Sequence, residues 1–286
     1  MTTQPARPAS WVRPYAEPPL TDIDPGTKSW ICRGANFVIV LSDVEEGAIL
    51  SRDNADEYML LTAGPAVAIE AGGERLEAAP QTVTIVPPGP SKAVALGAGP
   101  VVRVFTKEAA DLAARAGNAD AYADPTPDVA PLTLWPMPEG GYKLRNYLLA
   151  DYIREGSNMR IFRSRGLMLN VTTVREQPRD TSKLTPHSHA DFEQGSLTLS
   201  GNYIHHLRYP WSPDMADWRE DQHIDLQSPS MLVITPTTIH TSRNCGEEPG
   251  WLIDVFAPPR VDFSLREGLV ANAAEYPLPA EVIDSR

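Results

Sequence analysis

The stretch PHSHADFE, residues 186–193, decides how this chain is read. His187 and His189 are two apart, so on a strand their side chains leave one face together. Glu193 stands four residues beyond His189. Far downstream, TPTTIH (235–240) ends on His240 after a proline turn, and Asn244 follows four later. Three imidazoles and one carboxylate suit a first-row divalent ion, with positions left for water or substrate. The chain has only 6 histidines, so finding His187, His189 and His240 on one pattern carries weight.

The surroundings of this stretch are β-type. The runs MRIF (159–162), LMLNVTTV (167–174), SLTLS (196–200), NYIHHLR (202–208), MLVIT (231–235) and WLIDVF (251–256) are rich in β-branched and aromatic residues. An earlier series has the same character: FVIVL (37–41), EYMLL (57–61), AVAIE (66–70), TVTIV (82–86) and VVRVF (101–105). Only KEAADLAARAG (107–117) reads as a short helix. Helix should therefore occupy less than roughly a fifth of the chain. The 28 prolines and 19 glycines are scattered, as many short strands joined by turns require.

The two series overlay. EYMLLTAG (57–64) and VTIVPPGPSK (83–92) correspond to EQGSLTLSG (193–201) and LVITPTTIH (232–240). This is an internal duplication. It predicts an extended arm (1–28), a first barrel (29–117), a linker rich in Pro and Asp (118–141), and a second barrel with its tail (142–286).

The motifs resemble those of the cupin superfamily. Its first motif is H-x-H, three or four residues, E, about six residues, G; its second is P-x-G-x-x-H-x-x-x-N. Here His187, His189 and Glu193 are followed by Gly201, and His240 by Asn244, while Thr235 and Thr237 replace the family's Pro and Gly. The resemblance spans about 36–106 and 159–257. It implies an all-β fold of two cupin-type (double-stranded β-helix, jelly-roll) barrels, a bicupin. It also implies one divalent metal ion per chain on His187, His189, Glu193 and His240, with iron first and manganese, zinc or nickel as alternatives. In the first repeat Ser51 and Asp53 stand where the histidines would be, Glu57 and Gly64 match the Glu and Gly, and Lys92 replaces the last histidine. An ammonium has no lone pair for a metal, so this half reads as structural, with Asp53 and Lys92 expected to face each other inside it.

Other residues carry weaker readings. Tyr203 and His206 are candidates for moving a proton, with His205 beside them on the opposite face from His206. Arg208, Arg163 and Asn244 are candidates for holding a substrate. The insert 208–226, with Trp211 and Trp218, is expected to shape the cavity mouth.

Bulk properties bound the function. The 286 residues suffice for two domains, and 42% apolar content supports packed cores. A formal net charge of -12 argues against nucleic acid or an anionic membrane as partner, but not against a small anionic substrate. The polar, proline-rich N-terminal stretch and the lack of a long apolar run predict a cytoplasmic protein; a homo-oligomer is compatible with all of this. The 2 cysteines are too few for a disulfide framework. Three functions fit: a non-haem Fe(II)-type dioxygenase, towards which the ligand set leans; a non-redox isomerase, lyase or hydrolase on a sugar-derived or keto acid; and a metal-stabilised binding protein without turnover.

Overall fold

Runs rich in Val, Ile, Leu and Phe become strands where their composition predicts them, as at Phe37–Val44, Thr82–Val86 and Trp251–Phe256. The computed structural model describes residues 6–284. It is about 40% strand and 9% helix, so the all-β expectation holds. The alanine-rich segment yields one helical turn and no more, Ala110–Ala113.

The strands form two barrels, each a six-stranded sheet facing a smaller one. In the first half the large sheet runs Arg145–Leu148, Thr82–Val86, Tyr58–Leu61, Gly99–Thr106, Phe37–Val44, Thr27–Arg33. In the second half it runs Ser10–Val12, Ser230–Ile234, Gln194–Ser200, Trp251–Phe256, Met168–Val171, Ile161–Arg163. The order is the same in both. In each, the outermost strand comes from the other half of the chain.

That exchange amends the expected boundaries. The N-terminal arm is partly structured, because Ser10–Val12 pairs antiparallel with the second barrel's Ser230–Ile234. Arg145–Leu148, which follows the linker, pairs with Thr82–Val86 of the first barrel. Each covers a strand edge that would otherwise present unpaired backbone groups.

Alternation along the large sheets sorts side chains to two faces. One face of each sheet meets the other barrel: Phe37, Ile39, Met59, Val83 and Val104 pack with Leu169, Leu197, Val233 and Val255 in one buried cluster. The opposite faces differ. The first barrel's interior is mostly apolar, with Val38, Val40, Leu60, Ile69, Ala93 and Phe105, and holds a buried ion pair of Arg103 with Asp24 at 2.5 Å. The second barrel's inward positions carry His189, Gln194, Ser196, His205, His240 and Asp254.

The first barrel corrects one expectation. Asp53 and Lys92 are exposed and make no ion pair with each other. Within the strands Ile49–Asn54 and Gly89–Ala95 they fall on the outward phase of the alternation. Ser91 takes the inward place instead, its hydroxyl 3.1 Å from that of Tyr58.

Candidate metal centre

Three histidines converge at the open end of the second barrel. One ring nitrogen from each of His187, His189 and His240 lies within 4.8 Å of the others. The backbone fixes them: His187 N donates to His240 O at 3.1 Å, and His240 N to His187 O at 2.8 Å. Thr237 N donates to His189 O at 2.6 Å, tying the turn before His240 to the first motif. Thr237 adopts φ 63°, the left-handed conformation that the family's glycine takes without steric cost.

The ring orientations suit metal binding. His187 Nδ1 and His240 Nδ1 each lie 2.9 Å from a backbone carbonyl, of Thr185 and Thr238. Each Nδ1–H donates there, which leaves Nε2 with a free lone pair. Burial lowers the His189 imidazole to about 3 and the His240 imidazole to about 4. Both are neutral at physiological pH.

The side chain that joins the imidazoles is that of Gln194; Glu193 points away from them. Gln194 Oε1 lies 3.0 Å from His189 Nε2 and 3.3 Å from His240 Nε2. Its amide is oriented by donation from Nε2 to Asp254 Oδ1 at 3.0 Å and Ser196 Oγ at 3.1 Å. The oxygen is therefore aimed at the imidazoles. Two acceptors, His240 Nε2 and Gln194 Oε1, face each other. A cation resolves that arrangement, and neighbouring ligands of an ion with bonds of roughly 2.1 Å stand about 3.0–3.4 Å apart. The donor set fits a divalent metal.

Glu193 is displaced from the expected ligand set by the strand's two-residue period. A Cβ at Gly195 would lie 3.0 Å from Ile39 Cδ1, so the odd-numbered residues face the first barrel. Glu193 follows that phase. Its carboxylate accepts from Ala35 N at 2.6 Å, Arg7 Nη2 at 2.5 Å and Tyr122 Oη at 3.1 Å.

A cavity of about 480 Å³ opens beside the cluster. His187, Gln194, His240, Tyr203, Asp254 and Arg260 are among its lining residues. Asp254 is half-buried and accepts from Asn170 Nδ2 at 3.1 Å; desolvation lifts its carboxyl to about 6. Burial pushes the Tyr203 phenol up to about 12, so it is a neutral hydrogen-bond donor.

Tyr203 thus faces the cavity as its candidate role requires; the others do not. His206 lies on the outer face of its strand, 2.7 Å from His223 Nδ1, and its Nε2 accepts from Arg243 Nε at 3.1 Å. His205 takes the inward place, fully buried, with Nδ1 2.7 Å from Ser242 Oγ. Arg208 is exposed and paired with Asp221 at 2.7 Å. Arg163 is buried over the Trp135 ring, 5.2 Å from its centroid, and donates to Tyr276 O. Asn244 serves the hairpin, accepting from Asn202 N at 3.3 Å and donating to Glu248 O at 3.1 Å. The insert 208–226 stands off the cavity. Its Trp211 and Trp218 stack on each other, ring centroids 4.5 Å apart.

Gln194, Asp254 and the cavity's arginines are absent from the sequence-based candidates. For Gln194 a signal existed. Four residues separate it from His189 and six from Gly201, which matches the family spacing better than Glu193 does.

No protein-family model matches the sequence, and no curated protein matches it. Solved structures do. The protein Ylba of E. coli matches at TM-score 0.57 and 11% identity, over 91% of this chain and 96% of that one. AerE of Microcystis aeruginosa matches at 0.56 and 9%, over 84% and 96%. The oxalate decarboxylase of Bacillus subtilis, a protein with Mn(II) centres, matches at 0.53 and 12%, over 84% and 79%. At such identities the likeness is one of fold, and the fold is that of the cupins.

Proposed function

We propose that this chain is a bicupin enzyme that uses one divalent metal ion, held by His187, His189, Gln194 and His240, to transform a small polar organic molecule in the adjacent cavity. The observation that carries this reading is the convergence of Gln194 Oε1 on two imidazole nitrogens, at 3.0 and 3.3 Å, beside a cavity of substrate size. Bound there, the metal would supply Lewis acidity to a carbonyl or hydroxyl oxygen. Asp254 holds the Gln194 amide in its ligating orientation. Tyr203 offers a neutral phenol as hydrogen-bond donor, and as proton donor once substrate has lowered its pKa. The first barrel, with Tyr58 and Ser91 hydrogen-bonded to each other inside it, acts as a structural partner.

Non-redox chemistry, of the isomerase, lyase or hydrolase kind, is favoured over oxygen insertion. The four protein ligands are all neutral, which leaves the ion its full charge as a Lewis acid. A neutral shell also disfavours a more highly charged oxidised state. Oxygen chemistry at iron uses the same ligands and is the second reading. Manganese is the first ion to test, given the Mn(II) centres of the similarly folded oxalate decarboxylase; iron, zinc and nickel follow. The free thiols of Cys32 and Cys245 suit a reducing, cytoplasmic setting.

The test is metal analysis of anaerobically purified protein, then oxygen-uptake and substrate screening of each reconstituted form. Stoichiometric metal with turnover and no oxygen use supports the proposal. Substrate-dependent oxygen consumption selects the second reading. A chain that binds none of the four ions above background ends both.

A further inference from the structure

The cavity's charge runs against that of the chain. A protein with 37 acidic and 25 basic residues lines this space with Arg175, Arg179, Arg260 and Arg266, against one carboxylate, Asp254. Asp254 is already engaged by Asn170, Gln194 and Ser196. Arg260 has a partner in Asp262 at 2.6 Å. Arg175 and Arg179 make no ion pair among the described residues.

The backbone of Arg175 and the side chain of Arg179 are nevertheless held in place. Arg175 forms a reciprocal backbone pair with Gly250, each N–H donating to the other's carbonyl at 2.8 Å. Arg179 donates from Nη1 to Ser242 O at 2.7 Å and from Nη2 to Thr185 Oγ1 at 2.8 Å. The two guanidinium groups sense each other: burial, and then the charge of Arg175, lower the Arg179 pKa. The fields of both reach Tyr203. The Tyr203 hydroxyl fits there because residue 250 is glycine; a Cβ at that position would sit 2.7 Å from it. Two like charges kept close in an acidic chain, with no carboxylate of its own supplied to them, need an anion from outside.

We propose that Arg175 and Arg179, with the Tyr203 hydroxyl, form a carboxylate-recognition subsite, and that the substrate is a small hydroxy-, keto- or dicarboxylic acid. Its carboxylate sits on the two guanidinium groups, and a second oxygen reaches towards the His187, Gln194 and His240 donors lining the same cavity. This deepens the metal-enzyme reading and rests on it for the second contact only.

The experiment is calorimetric titration of the EDTA-treated full chain with malonate, malate and 2-oxoglutarate, their dimethyl esters, and inorganic phosphate. At least one free acid should bind, its ester should not, and Arg175→Gln should weaken binding by about tenfold or more. Arg175 makes no side-chain hydrogen bond among the described residues, so this variant is the clean one; Arg179→Gln also removes contacts to Ser242 and Thr185. A parallel Mn(II) titration should be unchanged in Arg175→Gln. Wild-type protein that takes up no metal but binds a diacid through Arg175 would remove the catalytic reading and keep the subsite. Binding of phosphate alone, of ester and acid alike, of no acid in the series, or with no loss in Arg175→Gln would overturn it.

Discussion

Glu57 and Glu193 hold the same place in the two halves of the chain, and each reaches across to the other half. Glu193 Oε2 accepts from the Ala35 amide at 2.6 Å, in the turn between the strands Thr27–Arg33 and Phe37–Val44. Glu57 Oε2 accepts from the Arg165 amide at 3.3 Å, in the equivalent turn between Ile161–Arg163 and Met168–Val171. A tyrosine completes each, Tyr122 on Glu193 at 3.1 Å and Tyr276 on Glu57 at 2.8 Å. The duplicated glutamate is a pair of latches between barrels.

Glu193→Gln should therefore cost stability and spare the metal. The carboxylate is 2% exposed, and the change weakens the pair with Arg7 while turning one acceptor into a donor. A loss of about 1–3 kcal/mol is expected in urea unfolding. Metal stoichiometry, measured on the folded variant, should stay at the wild-type value. Loss of metal without loss of stability would return Glu193 to the ligand set.

The opposite split is expected at the inward positions. His240→Ala should abolish tight metal binding, since it removes one of three imidazoles and the backbone-oriented Nε2. Gln194→Ala should weaken affinity by about 10–100-fold and Asp254→Asn by less, because Asp254 acts only by orienting the Gln194 amide. Equilibrium dialysis against a competing chelator ranks the three. Unchanged affinity in Gln194→Ala would show that the ligand oxygen has been misidentified.

How much of this was legible in the sequence follows from what a strand pattern encodes. Composition and turn spacing located both barrels, and H-x-H with a distant histidine located the imidazole cluster. The fourth donor was ambiguous because Glu193 and Gln194 are adjacent, and a one-residue shift exchanges the faces of a strand. The inward phase had to be read from Gly201, which six residues separate from Gln194. Ser10–Val12 and Arg145–Leu148 carry no strand signal of their own, since three- and four-residue segments gain their order from a partner remote in sequence. The cavity arginines lie in 172–179 and 257–266, where no periodicity marks a side chain as facing the site.

Thr237 offers a gain in stability. It is exposed, β-branched and held at φ 63°, a conformation that costs a non-glycine residue about 1–2 kcal/mol. The first barrel has Gly89 at the corresponding turn, with φ 98°. Thr237→Gly relieves the clash and returns part of the gain to the freer unfolded chain. A net stabilisation of about 0.5–1 kcal/mol should appear in thermal and urea unfolding, with metal affinity changed little. A destabilised variant would mean that the threonine side chain makes a compensating contact.

The metal-free protein should be sensitive to mild acid. Burial lowers His189 and His205 to about 3 and His240 to about 4, from 6.5. As pH falls below about 6.5, the unfolded chain gains protons that these folded imidazoles refuse, so stability drops, by up to about 1.4 kcal/mol per pH unit for each. Asp254 works in the other direction. Its folded pKa of about 6, against 3.8 unfolded, means the native state holds an extra proton between those values, and stability rises on acidification there. One carboxyl offsets about one of the three histidines. Together these four groups give a loss on the order of 2–3 kcal/mol per pH unit at its steepest between about pH 6 and pH 4, which the carboxyls of Glu57 and Glu193, also raised by burial, reduce. Urea midpoints in EDTA should fall from about pH 7 to pH 5, and His205→Gln should make that fall shallower. Added metal should raise the midpoint at neutral pH and lose its effect in acid, because protons compete for the same Nε2 lone pairs. A midpoint that is flat or rises towards pH 5 would mean that these imidazoles are not buried in their neutral form, and the donor set would have to be reassigned.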